Sequence, residues 1–389
     1  MIPKGWSSQK LSSVASIIDC KHRTPEYVKS GIPLVSPGTI KWGALDLISP
    51  VKRVTEEEYR SLMDHCVVEQ GDLVMSRNQS VGVVSYVDSK KPFVLGQDTV
   101  LIKAIHADWR FIYYTLQSDL VQRQIAKSAG GSTFSRINLS DIRALNIKTP
   151  AICEQDKISQ ILTAWDKAIS VTEKLLTNSQ QQKKALMQQL LTGKKRLLDE
   201  NGVRFSGEWE KGKFCDMANI DTGYAFKSKD FTQSDSGIPI IRMSDFKTGG
   251  LDVLGAAKVD RDSVNGLDKF KLRVGDFVFG MSGSLNNYGR VEKKDLPCYL
   301  NQRVGRILAK ECANQAFITY LYLSDSIQQS ILNKAAGAAQ LNISISDLRS
   351  MVVYYPCIEE QQKIAAVLSA ADAEISTLEK KLACLRDEK

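Results

Sequence analysis

At 389 residues the chain exceeds one ordinary globular core, so two or more domains are expected. Hydrophobic residues at 43% beside 25% charged residues exclude a disordered composition, and no run approaches the roughly 20 apolar residues of a membrane span. Lysine and arginine (52) outnumber aspartate and glutamate (44), and the formal net charge of +8 suits a polyanionic partner without demanding one. The opening MIPKGWSSQKL has no apolar core of a signal peptide. Eight cysteines are scattered without a C-x-x-C pair, and His22, His65 and His106 stand at no metal-ligand spacing. A reduced, metal-free, cytoplasmic protein is the expectation.

Along the first 150 residues, short β-rich runs (IPLV, DLVMS, VGVVSYV, TVLIKA) alternate with Gly, Pro and Asn turns. One helix is expected after them, carrying Ile112, Leu116, Leu120, Val121 and Ile125 and stopped by Gly130-Gly131. From Glu154 to about Gly193 there is neither Pro nor Gly, and the apolar spacing 4-3-4-3-4 runs through Ile158, Leu162, Trp165, Ile169, Thr172 and Leu176. That period of 3.5 is a coiled-coil seam. A helix of about 40 residues spans roughly 60 Å, longer than a domain of this size.

The remainder repeats this plan. GIPL (31–34) returns as GIPI (237–240), QGDLV (70–74) as VGDFV (274–278), and INLSDI (137–142) as ISISDL (343–348). Gln97 matches Gln302, Tyr114 matches Tyr320, Pro150 matches Pro356, and Glu154-Gln155 match Glu360-Gln361, at offsets of 203–206 residues. Matches fall on apolar, Gly and Pro positions, which set backbone and core, while the polar residues between them differ. A second helix with apolar seam Ile364, Leu368, Ala371, Ile375, Leu378, Leu382 and Leu385 closes the chain. The two long helices are expected to pair with each other. The expected class is α+β: two repeated α/β domains (1–150 and 201–356), a central helical region (151–200) and a C-terminal one (357–389). In this register Lys389 falls on Lys183, so the C-terminal region reads as shortened.

Motifs for catalysis are missing. LTGKK (191–195) lacks the upstream Gly and the Ser/Thr of a phosphate-binding loop, GMSG (280–283) is not G-x-G-x-x-G, and no G-x-S-x-G or H-E-x-x-H occurs. A binding protein without chemistry of its own is the reading. A reader of nucleic acid needs Lys/Arg for phosphates and forked polar side chains for base edges. Such loops recur in both copies. The first copy offers Lys21, Arg23, Arg77, Asn78, Gln79, Ser132, Thr133 and Arg136. The second offers Lys227, Lys229, Arg242, Asn286, Asn287, Arg290, Gln302 and Arg303. Equivalent positions with different residues are what two readers on one scaffold would show. A coiled-coil scaffold that reads no DNA stays open at this point.

GYAFKSKDF (223–231), GIPIIRMSDFKTGGLD (237–252), QQKKALMQQLLTGKKRL (181–197) and EEQQKIAAVLSAAD (359–372) resemble the specificity subunit of type I restriction–modification systems. Weaker counterparts are GIPLVSPGTIKWGALD (31–46) and CEQDKISQILTAWD (153–166), whereas IDCKHRTPEYV (18–28) stands in place of the GYAFKSKDF pattern. The resemblance implies two target-recognition domains, each reading half of an asymmetric split DNA site. It implies two long helices that form an antiparallel coiled coil and set the gap between the halves. It also implies two methyltransferase subunits and ATP-dependent endonuclease/translocase subunits as partners. No cofactor is then expected on this chain; S-adenosylmethionine, ATP and magnesium would sit on the partners.

Overall fold

In the strand Leu73–Ser76, Leu73 and Met75 point into one hydrophobic cluster and Val74 into another, so the sheet is covered on both faces. The neighbouring Thr99–Ala104 alternates the same way, with Val100 and Ile102 on one side and Leu101 on the other. Burial on both faces is why TVLI and DLVM read as continuous apolar runs rather than as alternation. The computed structural model describes residues 3–49, 52–130, 135–247, 250–282, 287–335 and 344–389. It divides into two units, Met1–Ser170 with Leu385–Lys389, and Val171–Cys384.

The first unit holds a five-stranded sheet in the order 15–19, 99–104, 73–76, 84–86, 43–44. Three-stranded (52–54, 32–35, 94–95) and two-stranded (7–10, 146–149) sheets accompany it. Helices lie over the face lined by Ile17, Leu73, Met75 and Ile102, where Ile112, Leu116, Val121 and Ile125 complete the core. The three-stranded sheet covers the opposite face through Leu34, Val35, Val54 and Val94. The second unit repeats this arrangement. One four-stranded sheet runs 218–222, 304–309, 277–280, 288–290; Phe277, Phe279 and Ile307 face the helical core while Val278 and Val304 face a second four-stranded sheet of shorter strands (231–232, 258–259, 238–241, 299–300).

The single helix expected before Gly130 is two helices, Trp109–Gln117 and Asp119–Ala129. Ser118 between them is extended (ψ 144°), and its Oγ bonds back to the Thr115 carbonyl at 2.6 Å, a side-chain alternative to the helical ladder. The second copy breaks likewise, between Gln315–Tyr322 and Asp325–Ala335, with Ser324 Oγ on the Leu321 carbonyl. Apolar periodicity continues across both breaks, so periodicity alone cannot show them.

The long helix spans Ile152–Leu190. Thr192 Oγ1 on the Gln188 carbonyl (2.6 Å) and Gly193 at φ +69° end it, and the Trp209 ring lies over that glycine. The C-terminal helix spans Ile358–Glu388. Within the second unit, Lys183 pairs with Asp372, and Ser179 Oγ donates to Glu374 Oε1 at 3.1 Å. One helix's numbers fall as the other's rise, so the pair is antiparallel. The seam expected from sequence (Ile158, Leu162, Trp165, Ile169, Leu176; Ile364, Leu368, Ile375, Leu378, Leu382, Leu385) is buried or half-buried throughout. Among the described residues, no helix is long and apolar enough to cross a membrane.

Candidate nucleic-acid interface

In the first unit, strand 15–19 ends where strand 99–104 begins (Asp19 opposite Val100), and strand 73–76 ends at the same edge (Ser76 opposite Thr99). Antiparallel order thus gathers the loops 20–31, 77–83 and 96–98 at one end of the sheet, although they are far apart in the chain. Segment 135–138 joins them through a bridge between Asn78 and Arg136 and a bond from Ile137 N to the Arg77 carbonyl.

The structure brings most of the first-copy candidates to this end in different states. Arg77 is only 5% exposed; its Nε donates to the Ile137 carbonyl (3.1 Å) and its Nη1 to Asp19 (2.9 Å). It is committed to the framework. Lys21 pairs with Asp64 at 2.6 Å, and Arg23 grips Glu58 with two bonds of 3.0 and 2.6 Å. The Arg23 guanidinium holds the Glu58 carboxyl below its usual range, and Lys21 does the same to Asp64. Both cations are therefore neutralised, Arg23 by the helix Glu56–Met63 and Lys21 by Asp64, the residue that caps its C-terminus. Asn78 and Gln79 form the tip, with Gln79 at φ +58° and its N–H on Asn78 Oδ1. Arg136 is exposed and donates to Asp98 at 2.8 Å. Ser132 and Thr133 lie outside the described residues.

Beside these, Asp19, Cys20 and His22 bring possible ligand atoms within 4.8 Å of one another. Asp19 already takes Arg77 on one oxygen and His22 on the other, and burial pushes the Cys20 thiol up. Asp19 thus ties Arg77 and His22 into one polar framework.

The second unit builds the same end with a different balance. Thr222 lies opposite Gly305, and Gly280 opposite Val304. Gly223 follows, where a Cβ would stand 2.1 Å from the Leu300 carbonyl oxygen, so the chain passes flush against that strand. Lys227 and Lys229 are exposed on the next turn. Gln302 and Arg303 are exposed just before strand 304–309, and among the described residues Arg303 makes no ion pair. Arg242 leans on Asp245 with Nε at 3.4 Å. Asn287 accepts the Gly280 N–H at 2.7 Å, while Asn286 lies outside the described residues.

Arg290 does not belong to this group. It pairs with Phe277, at the opposite end of the sheet, and lines a cavity with Lys183, Tyr288, Tyr320 and Asp372. Tyr320 Oη donates to Asp372 at 2.6 Å, and burial together with that carboxylate raises the phenol's pKa. In the first unit the equivalent Tyr114 donates to Asp166 at 2.8 Å, and Lys389 pairs with Asp166 as Lys183 does with Asp372. The repeat therefore extends to a polar cluster binding each domain's helix to its long helix. Gln155 and Gln361 show the same equivalence: each bridges a proline carbonyl (Pro150, Pro356) and a backbone N–H (Asp108, Asn314).

One residue escaped the sequence reading. Asp98 and Arg303 both directly precede a six-residue strand, so the same backbone position carries opposite charge in the two copies. The matched Gln97 and Gln302 next to them were the available signal.

A family model described as a type I restriction modification DNA specificity domain matches residues 3–178 and 206–385. The chain is 25% identical to the MjaVIII specificity subunit of Methanocaldococcus jannaschii over 67% of this chain; the match spans 63% of that relative's length. It is 23% identical to the EcoKI specificity subunit of Escherichia coli K12, over 98% of this chain and 85% of that one. Among solved structures, the S subunit from M. genitalium aligns with a TM-score of 0.61 at 17% identity, covering 99% of this chain and 93% of that one. A structure described for assembly and conformational transition of the type I R-M system aligns with a TM-score of 0.56 at 16% identity, covering 100% and 95%.

Proposed function

Because the chain belongs to the family of type I restriction–modification DNA specificity subunits, and its role is accordingly sequence recognition, we propose that its two matched sheet ends each read one half of a split, asymmetric double-stranded DNA site. The observation that carries this is the repeat of one backbone with different polar tips. Asn78, Gln79 and Arg136 occupy the first end; Lys227, Lys229, Gln302 and Arg303 occupy the second. One scaffold with two polar surfaces yields two different base preferences, because base edges are read by side chains and the scaffold only positions them. A scaffold that reads no DNA is set aside by the family membership.

In this reading the chain does no chemistry. It selects where partner methyltransferase subunits modify adenine and where endonuclease/translocase subunits act, with S-adenosylmethionine, ATP and magnesium bound by those partners, in the cytoplasm. Residues 1–150 and 201–356 are the readers, and the helical regions 151–200 and 357–389 carry the partners and set the gap. Support comes from the basic excess of the chain and from the exposed cations at the second sheet end.

The test is co-expression with a type I methyltransferase subunit from the same source, followed by single-molecule sequencing of modified adenines on random DNA. A two-part motif with a fixed gap is the expected result. A stable protein complex that modifies no defined motif overturns the reading.

A further inference from the structure

We propose that Asp98 is a specificity-determining residue of the first reader: a positioning residue that aims the Arg136 guanidinium at a guanine of the first half-site. The inference rests on the DNA-reading role proposed above and assigns it to one pair of side chains.

Three observations carry it. Asp98 Oδ1 accepts from Arg136 Nη2 at 2.8 Å, Asp98 Oδ2 lies 3.5 Å from Asn78 Nδ2, and the Asp98 carbonyl accepts the Arg77 N–H at 2.8 Å. One aspartate thus connects the buried framework arginine to the half-buried Asn78 and the exposed Arg136 at the tip. Second, Asp98 adopts φ +61° and Gln79, on the facing loop, φ +58°; among the described residues these are the positive-φ positions that are not glycine. Left-handed backbone costs an ordinary residue free energy, and such positions gather where a side chain must be aimed. Third, the pair is solvated, with Arg136 45% and Asp98 24% exposed. Exposed ion pairs contribute little to stability, so stability does not account for the strained placement.

The chemistry fits an oriented arginine. A guanidinium carries five N–H donors, more than one carboxylate takes, and a forked pair of them matches O6 and N7 of guanine in the major groove. Fixing the fork beforehand lowers the ordering entropy lost on binding. Arg136 is anchored twice, by its backbone bridge to Asn78 and by its side chain to Asp98. In the second reader, Arg303 itself stands at the Asp98 position, so the two readers present arginine from different points of one backbone.

The full chain is incubated with a pool of duplex DNA of randomised sequence, and the bound fraction is sequenced for the parent, Asp98→Asn, Arg136→Ala and the double variant. Asparagine tolerates positive φ, so Asp98→Asn keeps the turn and should melt close to the parent. The expected result is a guanine preference in one half-site that Arg136→Ala erases. Asp98→Asn should weaken the same preference about ten-fold, leave the other half-site untouched, and add nothing to Arg136→Ala. The inference is overturned if Asp98→Asn alters no position, alters one that Arg136→Ala does not, or weakens all sequences alike. A parent that enriches no sequence overturns the DNA-reading role itself, and the assignment with it.

Discussion

Arg196→Met should be among the most damaging single substitutions in the second unit. Arg196 leaves the run LTGKKR after the long helix and grips Glu360 with two bonds, Nε to Oε1 at 2.7 Å and Nη2 to Oε2 at 2.6 Å. Glu360 is fully buried, whereas the Arg196 side chain keeps 20% of its surface in water. Removing the arginine strands a carboxylate in a dry site, which costs about 3–5 kcal/mol. Removing the glutamate leaves a guanidinium that can still reach water, so Glu360→Met should cost only about 1.5–3 kcal/mol. In a unit of this size each kcal/mol lowers Tm by about 2–4 °C, so Arg196→Met should melt about 6–20 °C below the parent. The matched Glu154 provides the control. It is exposed, and among the described residues its side chain accepts only the Trp6 indole N–H, at 3.1 Å, so Glu154→Ala should stay within about 0.5 kcal/mol of the parent. Calorimetry of the full-length variants at neutral pH measures all of this. An Arg196→Met protein melting within about 2 °C of the parent would refute the reasoning.

Burial holds Tyr114, Tyr320 and Tyr322 above the usual phenol range and pushes Tyr113 up to about 12, with Asp166 and Asp372 adding to Tyr114 and Tyr320. Folded pKa values above the unfolded one give stability that is complete below about pH 10 and lost as pH climbs further. These four of the chain's 12 tyrosines should ionise only as the far-ultraviolet circular dichroism collapses; phenolate absorbance near pH 10 from all of them in the native protein would contradict this. Cys298 is buried, with its thiol pushed up to about 12, and Cys20 is buried and shifted in the same direction, while Cys153, Cys312 and Cys357 are exposed. An aromatic disulfide reagent should label the exposed thiols in the native state and reach Cys20 and Cys298 only on unfolding, as peptide mapping would reveal. Arg303→Ala should cost about 1–3 kcal/mol of discrimination at one base position, whereas Lys229→Ala should weaken all sequences alike and reduce the slope of log affinity against log salt by about 1. Titrations of selected and scrambled duplexes at several salt concentrations separate the two, and equal behaviour of the variants would count against the assignment.

Features encoded over short separations were legible from the amino acids alone. The long helices, their 3.5-residue seam, the strands IPLV, DLVMS and TVLIKA and the repeat itself rest on periodicity, on Gly and Pro, and on apolar identity, all of which act locally or recur at a fixed offset. The breaks at Ser118 and Ser324 were not legible, because the hydrophobic face runs through them and one side-chain bond decides. Nor was the state of any single charge. Lys21, Arg23, Arg77 and Arg136 look alike in the sequence, and only the fold supplies Asp64, Glu58, Asp19 and Asp98 as their partners. Arg290 resembles Arg303 in type and loop setting, yet antiparallel pairing with Phe277 sends it to the far end of the sheet. Sequence determined the scaffold because backbone and core follow from patterns of residue class. Tertiary structure decided the site because an ion pair depends on which strand ends meet, and no local pattern records that.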